Sequence, residues 1–370
     1  MKQSAYTKIY DELLEEIMSG KYKPLSKLET ELDLAKRFSV SVGTIRNAVN
    51  CLVEDGFVVR RQGSGTYVVE NIPLTGFKNL KSTPGPSGLY HRIGLCVHND
   101  EFHMGIVRGV ENIMYFAGFQ VIVSFLAMEI VNDVKKLNDL MEVKVDGIIT
   151  LSPELYTYNS TTEYEDVLKK IRNLVIVGSN IEDDDLKTVA TDDVEGALQA
   201  VRYLISLGYR RVVHLRGPEK VSNANERERG YLKALSECPD ADAPMIFKTK
   251  GYNQAGGYAQ MNEVLKKYDH KPLAVFCAND YIAAGAYQSI LEHGLKIPED
   301  ISVIGYGNTQ TGITVKPQLT TVCQNPEDMG RLAAEKLLKM IYRHVAEIPH
   351  SKIIPWLLIR NSCGIAKQNI

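Results

Sequence analysis

In YTKIYDELLEEIMSGKY the apolar residues Ile9, Leu13 and Ile17 recur every four positions, acidic side chains fill the turns between them, and Gly20 stands where a helix would stop. That spacing predicts an amphipathic helix. A second, shorter helix fits TELDLAKRF, with Thr30 as its N-cap and Asp33 three residues on. After SVS, Ser41 caps a third helix that turns Ile45, Ala48, Val49 and Leu52 inward until Gly56 ends it. The runs FVVRR and TYVVE then pair as a hairpin around QGSG, where Gly63 and Gly65 supply positive φ. Elements in this order predict a winged helix-turn-helix over residues 1–70.

From His91 the pattern changes. Short apolar runs, RIGLCVH, FQVIVSFL, VDGIITL, NLVIVGS, RRVVHLRG, PLAVFCAND and ISVIGYG, alternate with amphipathic stretches such as GALQAVRYLISLG. Continuous apolar strands of this kind belong to parallel sheets covered by helices on both faces, so residues 91–370 read as α/β. Seven or more strands exceed one comfortable doubly wound domain and predict two similar lobes, with a cleft at the carboxyl ends of their strands. Between the two regions, NIPLTGFKNLKSTPGPSG carries Pro73, Pro84 and Pro86 and no helical period, which marks residues 71–90 as a linker.

Composition narrows this picture. With 370 residues and 44% hydrophobic content, the chain can fill several cores. The amino terminus lacks an apolar signal core, and no apolar run approaches the ~18 residues of a membrane span, so a cytoplasmic protein with no membrane contact is expected. Six dispersed cysteines without a C-x-x-C pair imply reduced thiols. A net charge of −2 excludes a uniformly basic nucleic-acid coat, so DNA contact must come from a local cluster. Residues 1–70 hold ten basic and ten acidic side chains, but Asp11, Glu12, Glu15 and Glu16 belong to the first helix, which can face away. Lys36, Arg37, Arg46, Arg60 and Arg61 lie on the later elements as a basic stripe suited to phosphates. At the start of the third helix, Gly43, Thr44, Arg46 and Asn47 face the major groove, with Arg46 and Asn47 as base readers and Ser41 beside them on the DNA, and Gln62, Gly63 and Ser64 form a wing tip bare enough for the minor groove.

No catalytic set assembles. No strand is followed by G-x-G-x-x-G, GYGNTQTG has the wrong spacing, and a G-x-x-x-x-G-K-[ST] loop is missing. GPSG lacks the spacing and the preceding strand of a nucleophile elbow. His98 and His103 in HNDEFH could hold a metal, but without further ligands they read as polar pocket lining, and EDDDL reads as a solvated loop. Neither a cofactor nor a metal is expected.

Residues 6–68 resemble the GntR-type winged-helix domain through IMSGKYKP and ELDLAKRFSVSVGTIRNAVNCLVEDGFVVRRQGSGTYV. The resemblance implies binding to operator DNA as a dimer. Leu25 stands where that family has glycine, Val42 where it has arginine, and Ser64 where its wing tip is basic, which implies an operator different from the common ones. Residues 92–362 resemble the LacI/GalR effector domain, itself similar to periplasmic sugar-binding proteins, through VATDDVEGALQAVRYLISLGYRRVVHLRG, NERERGYLKAL, PLAVFCANDYIAAGA, GLKIPEDISVIGYGN and PQLTTVCQNPEDMGRLAAEKLL. This implies two lobes joined by three crossovers, side-by-side homodimers and a small-molecule effector, a sugar or sugar phosphate, between the lobes.

Motif by motif, the resemblance places Arg227 on ligand oxygens, where a forked guanidinium suits adjacent acceptors, and Asn279 at a strand end, where an amide can donate and accept. Asp280 would cap the helix that follows. Tyr252 aligns with a stacking aromatic, Asn99, Asp100 and Phe102 with the loop after the first strand, and Asp193 with the first crossover. Gly307 replaces a carboxylate that often binds a sugar hydroxyl, and Asn308 could partly compensate. The expected function is a ligand-responsive transcriptional regulator, a repressor of carbohydrate-use genes. A sugar-modifying enzyme fused to a regulatory head, and a protein-binding adaptor, are the competing readings.

Overall fold

In the computed structural model the described residues are 5–18, 21–61, 63–69, 91–127, 129–151, 162–178, 187–219, 221–267, 272–342 and 351–366. The expected helix stop at Gly20, the linker over 71–90 and the acidic run at 182–186 lie outside them.

Helix α1 (Ala5–Met18) buries Ile9, Leu13 and Ile17 against α3 (Val42–Glu54), which contributes Ile45, Val49 and Leu52. Between them α2 (Glu31–Phe38) is capped by Thr30, whose hydroxyl accepts from Asp33 N–H at 3.2 Å. Ser39 at φ 55° then turns the chain into α3. Strands β1 (Val58–Arg61) and β2 (Gly65–Val68) pair antiparallel, and the tip needs backbone only glycine adopts readily, with Gly63 at φ 69° and Gly65 at φ 123°. A third segment adds to this wing, with no hydrophobic period to mark it in the chain. Lys27 bridges Tyr67, with Leu28 N–H donating to Thr66 and Val68 N–H to Ser26, both at 2.9 Å.

The body contains two six-stranded sheets. In the first, β3 (Arg92–Val97), β4 (Gln120–Phe125), β5 (Gly147–Leu151), β6 (Leu174–Val177), β7 (Lys187–Thr191) and β13 (Ser351–Ile353) lie in the order β13-β7-β6-β5-β3-β4, all parallel. In the second, β8 (Val212–Arg216), β9 (Met245–Lys248), β10 (Leu273–Cys277), β11 (Ile301–Tyr306), β12 (Thr320–Cys323) and β14 (Trp356–Leu358) follow the order β14-β12-β11-β10-β8-β9. Only β14 runs antiparallel there. All seven apolar runs of the sequence are strands. Of the five others, β9, β12, β13 and β14 have only three or four residues, and β7 and β12 are rich in threonine, so hydrophobic pattern alone does not single them out.

The chain passes between lobes three times among the described residues. It crosses from β7 into α7 (Asp193–Ser206), from β12 into α12 (Pro326–Ile341), and from β13 into β14. These crossings are tied together: Asp192 N–H donates to Ile353 at 2.9 Å, and Gln324 Nε2 to Thr191 Oγ1 at 3.2 Å. After its crossing, α12 packs on α4 (Glu101–Phe116) so closely that a Cβ on Gly109 would lie 2.0 Å from the Glu327 carbonyl, and one on Gly330 2.1 Å from that of Ile106. The absence of side chains there fixes α4, and α4 begins at the cleft.

Candidate functional site

Two regions carry the chemistry, and the first is the face of the winged helix. Arg46 and Asn47 project from the first turns of α3 and are exposed, as are Lys36, Arg60, Arg61, Gly63 and Ser64, while Thr44 is half-buried. Gln62 lies outside the described residues. Ser41 is exposed, but its hydroxyl is engaged in capping α3, accepting from Thr44 N–H at 3.2 Å with Thr44 Oγ1 2.8 Å away. The expected free basic stripe needs a correction at Arg37. Its guanidinium donates to Glu16 on α1, to Glu29 at 2.5 Å and to Tyr22 Oη at 3.0 Å, so Arg37, although exposed, is engaged in tying α1 to α2. The acidic first helix is thus a partner of the stripe, because Glu16 reaches the same edge.

Glu31 is the residue that the sequence reading passed over. Its two carboxylate oxygens hold Arg46 Nε of α3 at 2.9 Å and Arg60 Nη2 of the wing at 3.0 Å. One acid on α2 therefore holds in register the two arginines that the helix and the wing offer to a ligand. Arg61 instead covers the Tyr67 ring, 4.7 Å from its centroid, and Tyr67 Oη meets Ser64 Oγ at 2.7 Å. Lys27 was also missed, for no periodicity marks a lone lysine before a helix. Its side chain lies over the bare face of Gly65, where a Cβ would come within 2.5 Å of Cε. Lys27→Ala is expected to weaken binding to operator and to random duplex alike and to reduce the salt slope of log K by about one, as for one phosphate contact. An unchanged slope in anisotropy titrations would remove Lys27 from the DNA face.

The second region is a cavity of about 740 Å³ between the lobes, lined from both. On the first lobe, Asn99, Asp100 and Phe102 take part, together with His98 and His103. Asp100 serves α4 as its N-cap: Oδ1 accepts from His103 N–H at 3.0 Å, and Oδ2 lies 2.7 Å from His103 Nδ1. Burial alone would raise the Asp100 carboxyl, but the hydrogen bonds and charge of His103 hold it below its usual value. Burial lowers the pKa of His98, and the adjacent His103 lowers it further. The two imidazoles meet edge to face at 5.0 Å, and no trio of His, Cys, Asp or Glu among the described residues is placed to hold a metal. They line the pocket.

On the second lobe, Arg227 of α8 (Ser222–Ser236) is buried, donates through Nε to Asp193 at 3.0 Å and through Nη1 to the Ala278 carbonyl at 2.5 Å, and stacks 3.8 Å above the Tyr306 ring. Two acceptors hold the guanidinium in place, and Arg227 lines the cavity. Burial pushes the Asp193 carboxyl up and Arg227 pulls it back only in part. Asp193 therefore backs Arg227 from behind and does not line the cavity, a correction to its expected role as an effector contact. Tyr252 lines it, with Oη donating to Asn223 Oδ1 at 2.5 Å, and burial pushes its hydroxyl up to about 12.

Asn279 also lines the cavity, but it, and not Asp280, caps α10 (Asp280–Glu292), accepting from Ile282 N–H at 2.8 Å. The buried Asp280 collects Thr309 N–H at 2.7 Å and Thr321 Oγ1 at 2.6 Å instead. Asn308 is the other correction. At φ 54° its side chain stands outside the cavity lining: Arg360 donates to its Oδ1 at 2.6 Å and its Nδ2 reaches Cys323 Sγ at 3.7 Å. Gly307 lines the wall there, so the missing carboxylate is not replaced from the next position. Tyr281, Tyr306, Thr309 and Gln324 also line the cavity, as do Lys250, Asn223 and Asn253, and sequence spacing does not gather them.

Residues 5–68 match the family of bacterial regulatory proteins of the gntR type, and residues 201–363 a periplasmic binding protein-like domain. The HTH-type transcriptional repressor PurR of Histophilus somni is 30% identical over 351 residues, covering 90% of this chain and 99% of the relative. The chain belongs to the HTH-type transcriptional repressors. This repressor is also 26% identical over 378 residues to the arabinose metabolism transcriptional repressor of Halalkalibacterium halodurans, covering 99% of this chain and 98% of that one. In fold, the repressor's body is similar to a LacI family transcriptional regulator of Enterococcus faecium solved with bound ribose, with a TM-score of 0.65 and 28% identity over 75% of this chain and all of that one. The repressor is a regulator, not an enzyme. Among its described residues, no helix is long and apolar enough to cross a membrane.

Proposed function

We propose that the repressor binds operator DNA through the winged helix at residues 1–70 and releases it when a small sugar enters the cavity of the body at 91–370. One observation carries this reading: the cavity is built from both lobes, so ligand affinity depends on their relative arrangement. A ligand that binds one arrangement better shifts the population toward it by that differential affinity and no more. The lining favours a sugar, with ring faces of Phe102, Tyr252 and Tyr281 for the apolar side of a pyranose or furanose and Arg227, Asn99, Asp100 and Asn279 for its oxygens. Two of the names support a free pentose, since one relative is an arabinose repressor and a body of the same fold holds ribose.

Operator contact falls to Arg46, Asn47 and Thr44 on α3, to Arg60, Arg61, Gly63 and Ser64 on the wing, and to Lys36 beside them. Such a head reads half-sites, which makes a homodimer acting in the cytoplasm the working form. The test is an anisotropy titration of the full chain against DNA from upstream of its own gene, with calorimetry for L-arabinose, D-ribose and their phosphates. Release of DNA by a sugar that calorimetry shows to bind is the expected result. A bound sugar that leaves operator affinity unchanged would sink the proposal.

A further inference from the structure

Among the described residues, and away from the three crossings, a hydrogen bond spans the mouth of the cleft. Glu101, in the first turn of α4, accepts through Oε1 from the main-chain N–H of Gln310 at 2.5 Å, and the two residues stand 209 positions apart in opposite lobes. Gln310 is the first residue of a helix, so its N–H has no partner inside that helix and takes an acceptor from outside it. Thr309, immediately before α11 (Gln310–Thr314), would ordinarily turn its hydroxyl onto the following N–H groups. Here its Oγ1 donates to Asp280 Oδ2 at 3.1 Å and its own N–H to the same oxygen at 2.7 Å, so α11 has no side-chain cap from its own lobe. Asp280 is buried and also engaged by Thr321, which fixes Thr309 in this role. The acceptor that Gln310 N–H finds is Glu101, across the cleft.

Position makes this contact conditional on closure. Glu101 follows Asp100, and Gln310 follows Thr309, and both of those neighbours line the cavity, while Glu101 and Gln310 do not. Tyr281 of the second lobe lies on the same rim, and after burial the nearby carboxylates of Asp100 and Glu101 hold its hydroxyl above the usual value. When the lobes part, Glu101 and Gln310 part with them and water replaces each partner. The carboxylate therefore contributes to the closed arrangement only, and a contribution to one of two states shifts their ratio.

We propose that Glu101 is a positioning residue of the response: by completing the hydrogen bonding of Gln310 from the opposite lobe it favours the closed arrangement, and so sets sugar affinity without touching the sugar. This rests on the proposed function for its consequence, not for the contact itself. If the closed fraction falls by some factor, the apparent Kd of every ligand that binds the closed state rises by that same factor. A residue that touches the sugar would instead discriminate between sugars.

The experiment uses the full chain and two readouts. Without any ligand, amide hydrogen exchange at Gln310 is expected to be slowed in the native chain and several-fold faster in Glu101→Ala, with Glu101→Gln intermediate because its amide oxygen still accepts. The melting temperature should stay unchanged, since an exposed carboxylate holds no core. With L-arabinose and D-ribose as probes, Glu101→Ala should raise the Kd of each sugar that binds by one common factor of about 3 to 10. Equal exchange at Gln310 in both chains, or factors that differ between the sugars, would overturn the inference. If neither sugar nor its phosphate binds the native chain, the proposed effector class fails and the exchange readout alone decides on the contact.

Discussion

Arg227→Met is expected to leave operator DNA occupied at every sugar concentration. The guanidinium is held by Asp193, by the Ala278 carbonyl and by the ring of Tyr306. A methionine keeps much of the apolar stem and removes the charged fork, so the loss falls on the ligand's oxygens and on Asp193. Calorimetry should register at least about a hundredfold loss of sugar affinity, as expected when a charge-assisted pair of hydrogen bonds of about 3 kcal/mol is removed.

The same change strands a buried carboxylate, which costs about 3–5 kcal/mol in comparable pairs. The sign of its pH dependence follows from Asp193. Burial already raises that carboxyl above its usual 3.8, and without Arg227 it rises further. A carboxyl whose folded pKa lies above its unfolded one destabilises increasingly as pH climbs past the unfolded value, until the folded group ionises too. Arg227→Met should thus melt higher at pH 5 than at pH 8, and Asp193→Asn in the same chain should abolish that difference without restoring sugar binding. Sugar-dependent release of DNA by the double variant would show that Arg227 does not bind the effector.

The second large effect concerns the DNA face. Arg46→Ala should weaken operator binding by about 5- to 150-fold, the range for losing one bidentate base contact of about 1–3 kcal/mol, while binding to a scrambled duplex falls much less. Glu31→Gln separates charge from register. It removes an acid facing the phosphates and frees Arg46 and Arg60, so affinity for scrambled DNA should rise while the ratio of operator to scrambled affinity falls by about tenfold. If operator and scrambled affinities change by equal factors in Arg46→Ala, Arg46 contacts phosphate and another residue reads the bases.

Arg37 illustrates why a basic stripe could be listed from the sequence but not sorted. Arg37, Arg46 and Arg60 look alike in the chain, yet Glu16 and Glu29 engage the first, and Glu31 gathers the other two. Ion pairs between residues 15, 21 and 29 positions apart leave no local signature. In the body, the strand-end residues Asn99, Asp100 and Asn279 were legible because a parallel sheet delivers its strand ends to one edge. Asp193 and Asn308 occupy comparable positions in the chain, but one side chain turns behind Arg227 and the other toward Arg360, choices made by neighbours distant in sequence.

By itself the sequence determined the winged helix, its caps at Thr30 and Ser41, the glycines of its tip, the seven apolar strands and the alternation that makes two parallel lobes. Those features rest on periodicity and backbone preference, which act over a few residues. Only the tertiary structure decided which charges are neutralised, which polar groups of the cleft still face a ligand, and that Glu101 reaches Gln310 across the gap. The physical reason is that hydrogen bonds and ion pairs saturate: each donor or acceptor is consumed by whichever partner folding brings within about 3 Å, and that partner is seldom a neighbour in the chain.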